Sequence, residues 1–267
     1  MRVISTIFWK EFKSYFLSPV AYVVLTGFTA FSGFLFYQLL TFFIRITNLM
    51  RGLMVKGEVV REWTLADDVM GPLYRSLGLF LLVMVPAITM RLFAEEKKLK
   101  THELLLTSPV KMGSIVIGKY LASLLLLTLM LVPVGVYLLI VFSYGTQPDA
   151  GTLLAGYAGL FLIAFSLAAV GVFASTLSEN QIVAFFVSAV AGLFFYTINI
   201  AGNSVATVTL FAKKVNVGEF MKQVAISTHF NNMVGGKIEL MDLVYFISVI
   251  VFFLVAARVS AESARRS

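Results

Sequence analysis

The chain predicts an all-α, polytopic membrane protein with six transmembrane helices, on three observations. Of its 267 residues, 59% are hydrophobic and only 13% charged, and the mean hydropathy is +0.92. A soluble core could not bury that much apolar surface. Crossing a hydrocarbon layer about 30 Å thick takes roughly 20 mostly apolar residues, and six windows qualify: 20–44, 72–92, 115–143, 152–177, 181–205 and 242–258. Lysine and arginine are also distributed unevenly between the segments left over, as an oriented membrane protein requires.

Residues 1–18 place Ile4, Phe8, Phe12 and Tyr15 at helical spacing with Lys10 and Lys13 on another face. That is the pattern of an amphipathic elbow helix lying in the membrane interface, and Pro19 permits a sharp turn into the first span. No uninterrupted apolar run precedes a small-residue cleavage site, so this end does not read as a signal peptide and is expected to stay on the mature protein. The first window is free of charge between Pro19 and Arg45. Residues 45–71 are polar and mixed in charge, with Trp63 as an interfacial anchor. The second window contains Arg75, close enough to its end to snorkel to the interface, and Pro86, which predicts a kink.

Between spans two and three lies the most distinctive stretch of the chain, RLFAEEKKLKTHELLLTSPVKMGSIVIGK, from Arg91 to Lys119. Glu95, Glu96, Lys97, Lys98 and Lys100 lead into Thr101 and Glu103, then into Leu104, Leu105 and Leu106, and Pro109 closes the unit. A plain connector has no need of this pattern, which reads as a docking surface for a soluble partner. The third window is uncharged from Tyr120 to Pro148 and carries Pro133, a second expected kink. Only Ser178, Glu179 and Asn180 separate windows four and five, enough for a tight helical hairpin. Small residues recur through spans three to five, with spacings such as Gly171 to Ser175 and Ala184 to Ser188 that let helices approach closely. Residues 201–241 mix apolar pieces with Gly202, Gly218, Gly235 and Gly236. Short helices re-entering the outer leaflet and an exposed loop both fit them; backbone at membrane depth would need shielding by protein. The sixth window has a short uncharged core from Leu243 to Ala257.

Orientation follows from the basic residues. One side collects Arg2, Lys10, Lys13, Arg91, Lys97, Lys98, Lys100, Lys111, Lys119, Arg258, Arg265 and Arg266, twelve in all, against six acids. The other has eight basic and eight acidic residues. Both termini and the Arg91–Lys119 segment are therefore predicted cytoplasmic. The net charge of +7 is spread around the spans rather than gathered on a soluble face, which argues against nucleic acid as a partner.

Several chemistries are excluded. There is no cysteine, hence no thiol-based metal or redox site. The two histidines, His102 and His229, have no partner at ligand spacing, and no HExxH, GxSxG or GxxxxGK[ST] occurs, so neither a catalytic nor a metal site nor a nucleotide-binding loop is expected on this chain. His102 reads as a solvated residue and His229 as a hydrogen-bonding loop residue. Between Tyr120 and Pro148, and between Ala150 and Ser178, no Asp, Glu, Lys, Arg or His occurs, which weighs against an ion-coupled secondary transporter. A sodium site of hydroxyls and carbonyls could draw on Ser166, Ser175, Thr176, Ser188 and Thr197, but helix packing is the simpler use of such residues.

Glu95-Glu96-Lys97, Thr101, the run Glu103 to Val110 and Gly118-Lys119-Tyr120 together resemble the cytoplasmic stretch after the second span of ABC-2 type transporter permeases. The amphipathic first helix, the six spans, the Ser175–Gln181 turn and the long segment before the last span fit the same layout over the whole chain, as a single transmembrane permease domain. The ending, with Thr228-His229-Phe230, Gly235, Asp242 and Tyr245, is similar to the gliding-motility branch. The resemblance implies a transport subunit rather than an enzyme, working as a dimer in the bacterial inner membrane and exporting an amphiphilic or polymeric substrate. It implies a separate ATP-binding subunit carrying ATP and Mg, with no cofactor on this chain. That partner would dock on a coupling helix and its surroundings: Glu95, Glu96, Lys97, Thr101, Glu103, Leu104, Leu105, Pro109, Glu179 and Gln181, with Phe8, Lys10, Phe12 and Lys13 of the elbow helix. Homodimer or heterodimer, and the presence of a periplasmic accessory subunit, stay open. So does an alternative in which the chain is a non-transporting membrane anchor or regulator of an ATPase-containing envelope complex.

Overall fold

A computed structural model describes residues 2–54, 64–99, 110–145, 148–204, 208–210, 213–215 and 217–263. Trp63 lies outside them. The described residues are helical apart from connectors and one short antiparallel hairpin, β1 (Val208–Leu210) with β2 (Lys213–Val215). In chain order the helices are α1 (Arg2–Leu17), α2 (Pro19–Met54), α3 (Gly71–Thr89, entered through a π-helical turn at Ala66–Met70), α4 (Arg91–Lys98), α5 (Met112–Tyr144), α6 (Ala150–Leu177), α7 (Gln181–Ser204), α8 (Val217–Val224), α9 (Ile226–Val234) and α10 (Leu240–Ser263). Among the described residues, six helical stretches are long and apolar enough to cross a membrane, and they arise from α2, α3 with α4, α5, α6, α7 and α10.

Helix α6 is the hub. In its most apolar window 72% of residues are buried within the protein, against 17% for α7 and 22% for α10, so α7 and α10 are peripheral and leave their Phe, Ile and Val side chains facing outward. The sequence explains why α6 takes the centre: Ala155, Gly156, Gly159, Ala164, Ala168, Ala169, Gly171 and Ala174 are all buried on it, and small residues let neighbouring backbones approach. At Gly156 the Tyr74 ring of α3 occupies the space a Cβ would need, while the Tyr74 hydroxyl donates to the Leu153 carbonyl at 3.0 Å. Pro86 and Pro133 lie inside α3 and α5 without ending either.

The two termini share one end of the bundle. Arg258, near the end of α10, lies beside Gly113 at the start of α5, and α1 packs along that same start. Gly118 makes this packing feasible: a Cβ there would sit 2.8 Å from the Ile7 side chain and 3.3 Å from the Ile4 carbonyl. At the opposite end, residues 217–234 form the two short helices α8 and α9 rather than an open loop. The α9 residue Phe230 is fully buried against Gly78 of α3 and Gly159 of α6, seven and nine residues in from the ends of those helices. At 1.5 Å per residue, α9 therefore reaches roughly 10–14 Å below them.

Candidate functional site

The sequence singles out the segment after the second span, and its first part, α4, is held by interactions that the surrounding helices supply. The chain turns at Met90 between α3 and α4, which leaves the first amides of α4 without intrahelical acceptors. Ser175, near the end of α6, fills that need. Its Oγ accepts from the Phe93 amide at 2.9 Å and the Ala94 amide at 3.1 Å and donates to the Met90 carbonyl at 3.0 Å. This is an N-cap contributed by another helix, across more than eighty residues of sequence. The return interaction comes from Lys97, whose ammonium donates to the Thr176 carbonyl at 2.8 Å, an orphan acceptor of the last turn of α6 where a cation is favoured by the helix dipole. The start of α4 and the end of α6 thus satisfy each other.

On its other flank α4 meets α1 and α5 through one buried ammonium. Lys119 has a side chain only 2% exposed, with Nζ 2.9 Å from Glu11 Oε1 of α1 and 2.9 Å from Glu96 Oε1 of α4. It also stands over the Phe93 ring, 5.2 Å from the centroid. Lys10 adds a longer contact to Glu96, 3.8 Å, from an exposed position. Two carboxylates answering one desolvated ammonium explain why a lysine tolerates this depth, since unpaired it would be strongly disfavoured. Beside the cluster, Arg91 lies over the Tyr15 ring at 4.5 Å, and burial pushes the Tyr15 phenol up from its usual range. An open cleft of about 250 Å³ between α1 and α4 is lined by this cluster together with Ser14, Glu95 and Leu99.

The residues expected to meet a partner fall into three groups. Glu95, Lys10, Lys13, Glu179 and Gln181 are exposed or half-buried at the terminus-bearing end, with Glu179 in the Ser178–Asn180 turn whose Asn180 side chain accepts from the Ile182 amide to start α7. Phe8 and Phe12 are half-buried and stack on one another at a centroid distance of 6.1 Å, packed on the core. Glu96 and Lys97 turn inward, to Lys119 and to Thr176, and act in holding α4. Thr101, Glu103, Leu104, Leu105 and Pro109 lie outside the described residues, as does His102. Sequence reading gave Ser175 to helix packing and Lys119 to the charged segment, and did not place either of them, or Glu11, as a support of α4. An ionisable residue at the head of an otherwise apolar run is a signal for a buried pair, and Lys119 carried it; a serine in an apolar helix carries no such signal.

Two further expectations meet the structure at the far end and in the spans. His229 is on helix α9, not in a loop, and it is a hydrogen bonder as read: the Asp242 carboxylate lies 2.6 Å from Nδ1 and the Gln223 carbonyl 2.9 Å from Nε2. Arg75 is exposed and donates through Nε to Asn231 Oδ1 at 3.2 Å. Of the hydroxyls weighed for a cation, Thr176 and Thr197 donate to carbonyls in their own helices and Ser175 caps α4. Only Ser166 and Ser188 lack a hydrogen-bond partner. No group of three or more metal-ligating side chains occurs among the described residues.

The family described as "ABC-2 family transporter protein" matches residues 5–261, a range that takes in every element from α1 to α10. No curated protein matches the chain in sequence.

Proposed function

The chain belongs to the ABC-2 family of transporter proteins, a multi-pass membrane subunit of transport rather than an enzyme, and from that membership we propose that it is the permease of an ATP-driven exporter. In this reading two permease copies form the pathway in the bacterial inner membrane, both termini are cytoplasmic, and each copy engages a separate ATP-binding subunit that carries ATP and Mg. The family match along nearly the whole chain is the observation that carries the proposal. The geometry fits it: α4 is tied to α6 through Ser175 and Lys97 and to α1 and α5 through Lys119, so a load applied beyond Lys98 would reach three long helices at once. Glu95, Glu179 and Gln181, with residues 101–109, would form the docking surface. The uncharged spans α6 and α7 suit an amphiphilic or polymeric substrate.

The same lack of charged groups in these spans favours a second reading, an anchor for an ATPase that moves no substrate. The deciding experiment is co-purification of the tagged full chain from native membranes, wild type against Glu95→Lys with Glu103→Lys. An ATP-binding protein recovered with the wild type and lost with the charge reversals, at unchanged thermal stability, is the expected result. Recovery of no ATP-binding protein with a folded, dimeric chain would overturn the permease reading. ATPase activity indifferent to every candidate substrate in the reconstituted complex would favour the anchor.

A further inference from the structure

At the end of the bundle away from the termini, we propose that His229 and Asp242 form a proton-binding site whose shared proton latches the short helix α9 to the last span. His229 Nε2 lies 2.9 Å from the Gln223 carbonyl oxygen, which can only accept, so Nε2 carries its hydrogen. Nδ1 lies 2.6 Å from Asp242 Oδ1. A bare ring nitrogen and a carboxylate oxygen, both lone-pair bearers, would repel at that distance. One additional proton therefore sits between them, on the ring or on the acid, and the pair holds together only while it is there.

The surroundings give that proton leverage. The side chains of His229 and Asp242 are 7% and 2% exposed, so water does not replace the bond when it breaks. Asp242 Oδ1 also accepts from Asn232 Nδ2 at 3.3 Å, and its other oxygen is buried with no partner, an arrangement less costly for a neutral acid than for a carboxylate. The Tyr245 ring of α10 stacks on the imidazole at 4.0 Å, and its hydroxyl donates to the Val224 carbonyl of α8 at 2.5 Å. The same few residues thus join α8, α9 and α10. On the elements packed around α9, the other charged groups are Arg75 of α3, engaged with Asn231, Glu219 and Lys222 of α8, and Arg258 and Glu262 of α10, paired with each other near the far end of that helix; Lys237 and Glu239 lie in the α9–α10 connector, and α6 and α7 bring none.

The latched state binds this proton more tightly than an open state in which the two side chains separate. The latch therefore holds while the proton is bound and loosens as rising pH removes it. The test is backbone hydrogen exchange across 226–234 in the full-length protein in detergent micelles, corrected for intrinsic exchange, between pH 6 and pH 10, with α6 amides as the control for global opening. Wild-type protection should be constant at first and then fall by up to ~10-fold per pH unit, the slope of one linked proton. Asp242→Asn, whose amide can donate to Nδ1 and has no proton to lose, should keep its protection flat over the range. A wild type unchanged to pH 10, or an Asp242→Asn protein that follows the wild-type slope, overturns the proposal. Should the variant not fold, ¹⁵N-histidine labelling of the wild type decides, with His102→Gln assigning the signals. A hydrogen-bonded Nδ1 on His229 at pH 7 supports the site, and a bare, unbonded Nδ1 overturns it.

Discussion

At the residue scale, Lys119 and Ser175 show how an apolar bundle fixes a charged helix. Replacing Lys119 with Met removes the ammonium and leaves Glu11 and Glu96 facing each other, both largely buried; loss of one partner from such a pair costs about 3–5 kcal/mol. A large drop in the thermal midpoint of the detergent-solubilised protein is therefore expected, with most of it recovered when Glu11→Gln and Glu96→Gln accompany Lys119→Met. Non-recovery would mean that the lysine's aliphatic stem or its contact with Phe93 matters more than its charge. Ser175→Ala strips one acceptor from two buried amides and one donor from Met90. The expected cost is about 1–3 kcal/mol, and it should be accompanied by faster hydrogen exchange at the Phe93 and Ala94 amides. Neither side chain's partner could be read from the sequence. The pairing of Lys119 with Glu11 spans 108 residues, and hydropathy carries no information about which distant helix a polar atom will meet.

At the element scale, what the sequence made legible and what it hid divide along a physical line. Hydrophobic runs report a helix's solvent, so the spans were readable from composition alone, and the hairpin turn at Ser178–Asn180 follows from three polar residues between two apolar runs. Helix ends are set by hydrogen bonding rather than by lipid, which is why α2 runs on to Met54, past Arg45, and α5 begins at Met112. Residues 217–234 were ambiguous because α8 and α9 are too short to show sustained periodicity, and their helicity depends on tertiary packing such as that of Phe230 on Gly78 and Gly159. The contact of α1 with α5 is the element-level feature most open to test. Gly118→Val would drive a side chain into Ile7 and the Ile4 carbonyl, an overpacking worth about 1–3 kcal/mol. Because α1 is bound from one side only, the expected outcome is its release rather than general unfolding. Limited proteolysis should cut residues 1–17 of the variant faster than those of the wild type while the bundle stays intact; cleavage spread over the whole chain would instead place α1 in the folding core.

For the whole molecule, the terminus-bearing end gathers α1, α4, the Ser178–Asn180 turn and the end of α10 in one place, and the basic residues gather there too. Twelve lysines and arginines against six acids on that side, and eight against eight on the other, argue that this end faces the cytoplasm. The chain has no cysteine, so its orientation can be checked on the otherwise native sequence. A single cysteine at Glu179, exposed in the turn, and another at Leu240, exposed at the start of α10, lie at opposite ends of the bundle. In intact bacterial cells a membrane-impermeant maleimide should label Leu240→Cys and spare Glu179→Cys, and lysis should make both reactive. The reverse pattern would put the docking surface outside the cell, where no ATP-binding subunit could reach it, and would remove the permease reading together with the orientation. Equal labelling of both before lysis would mean that the six apolar helices do not seal the two ends from one another.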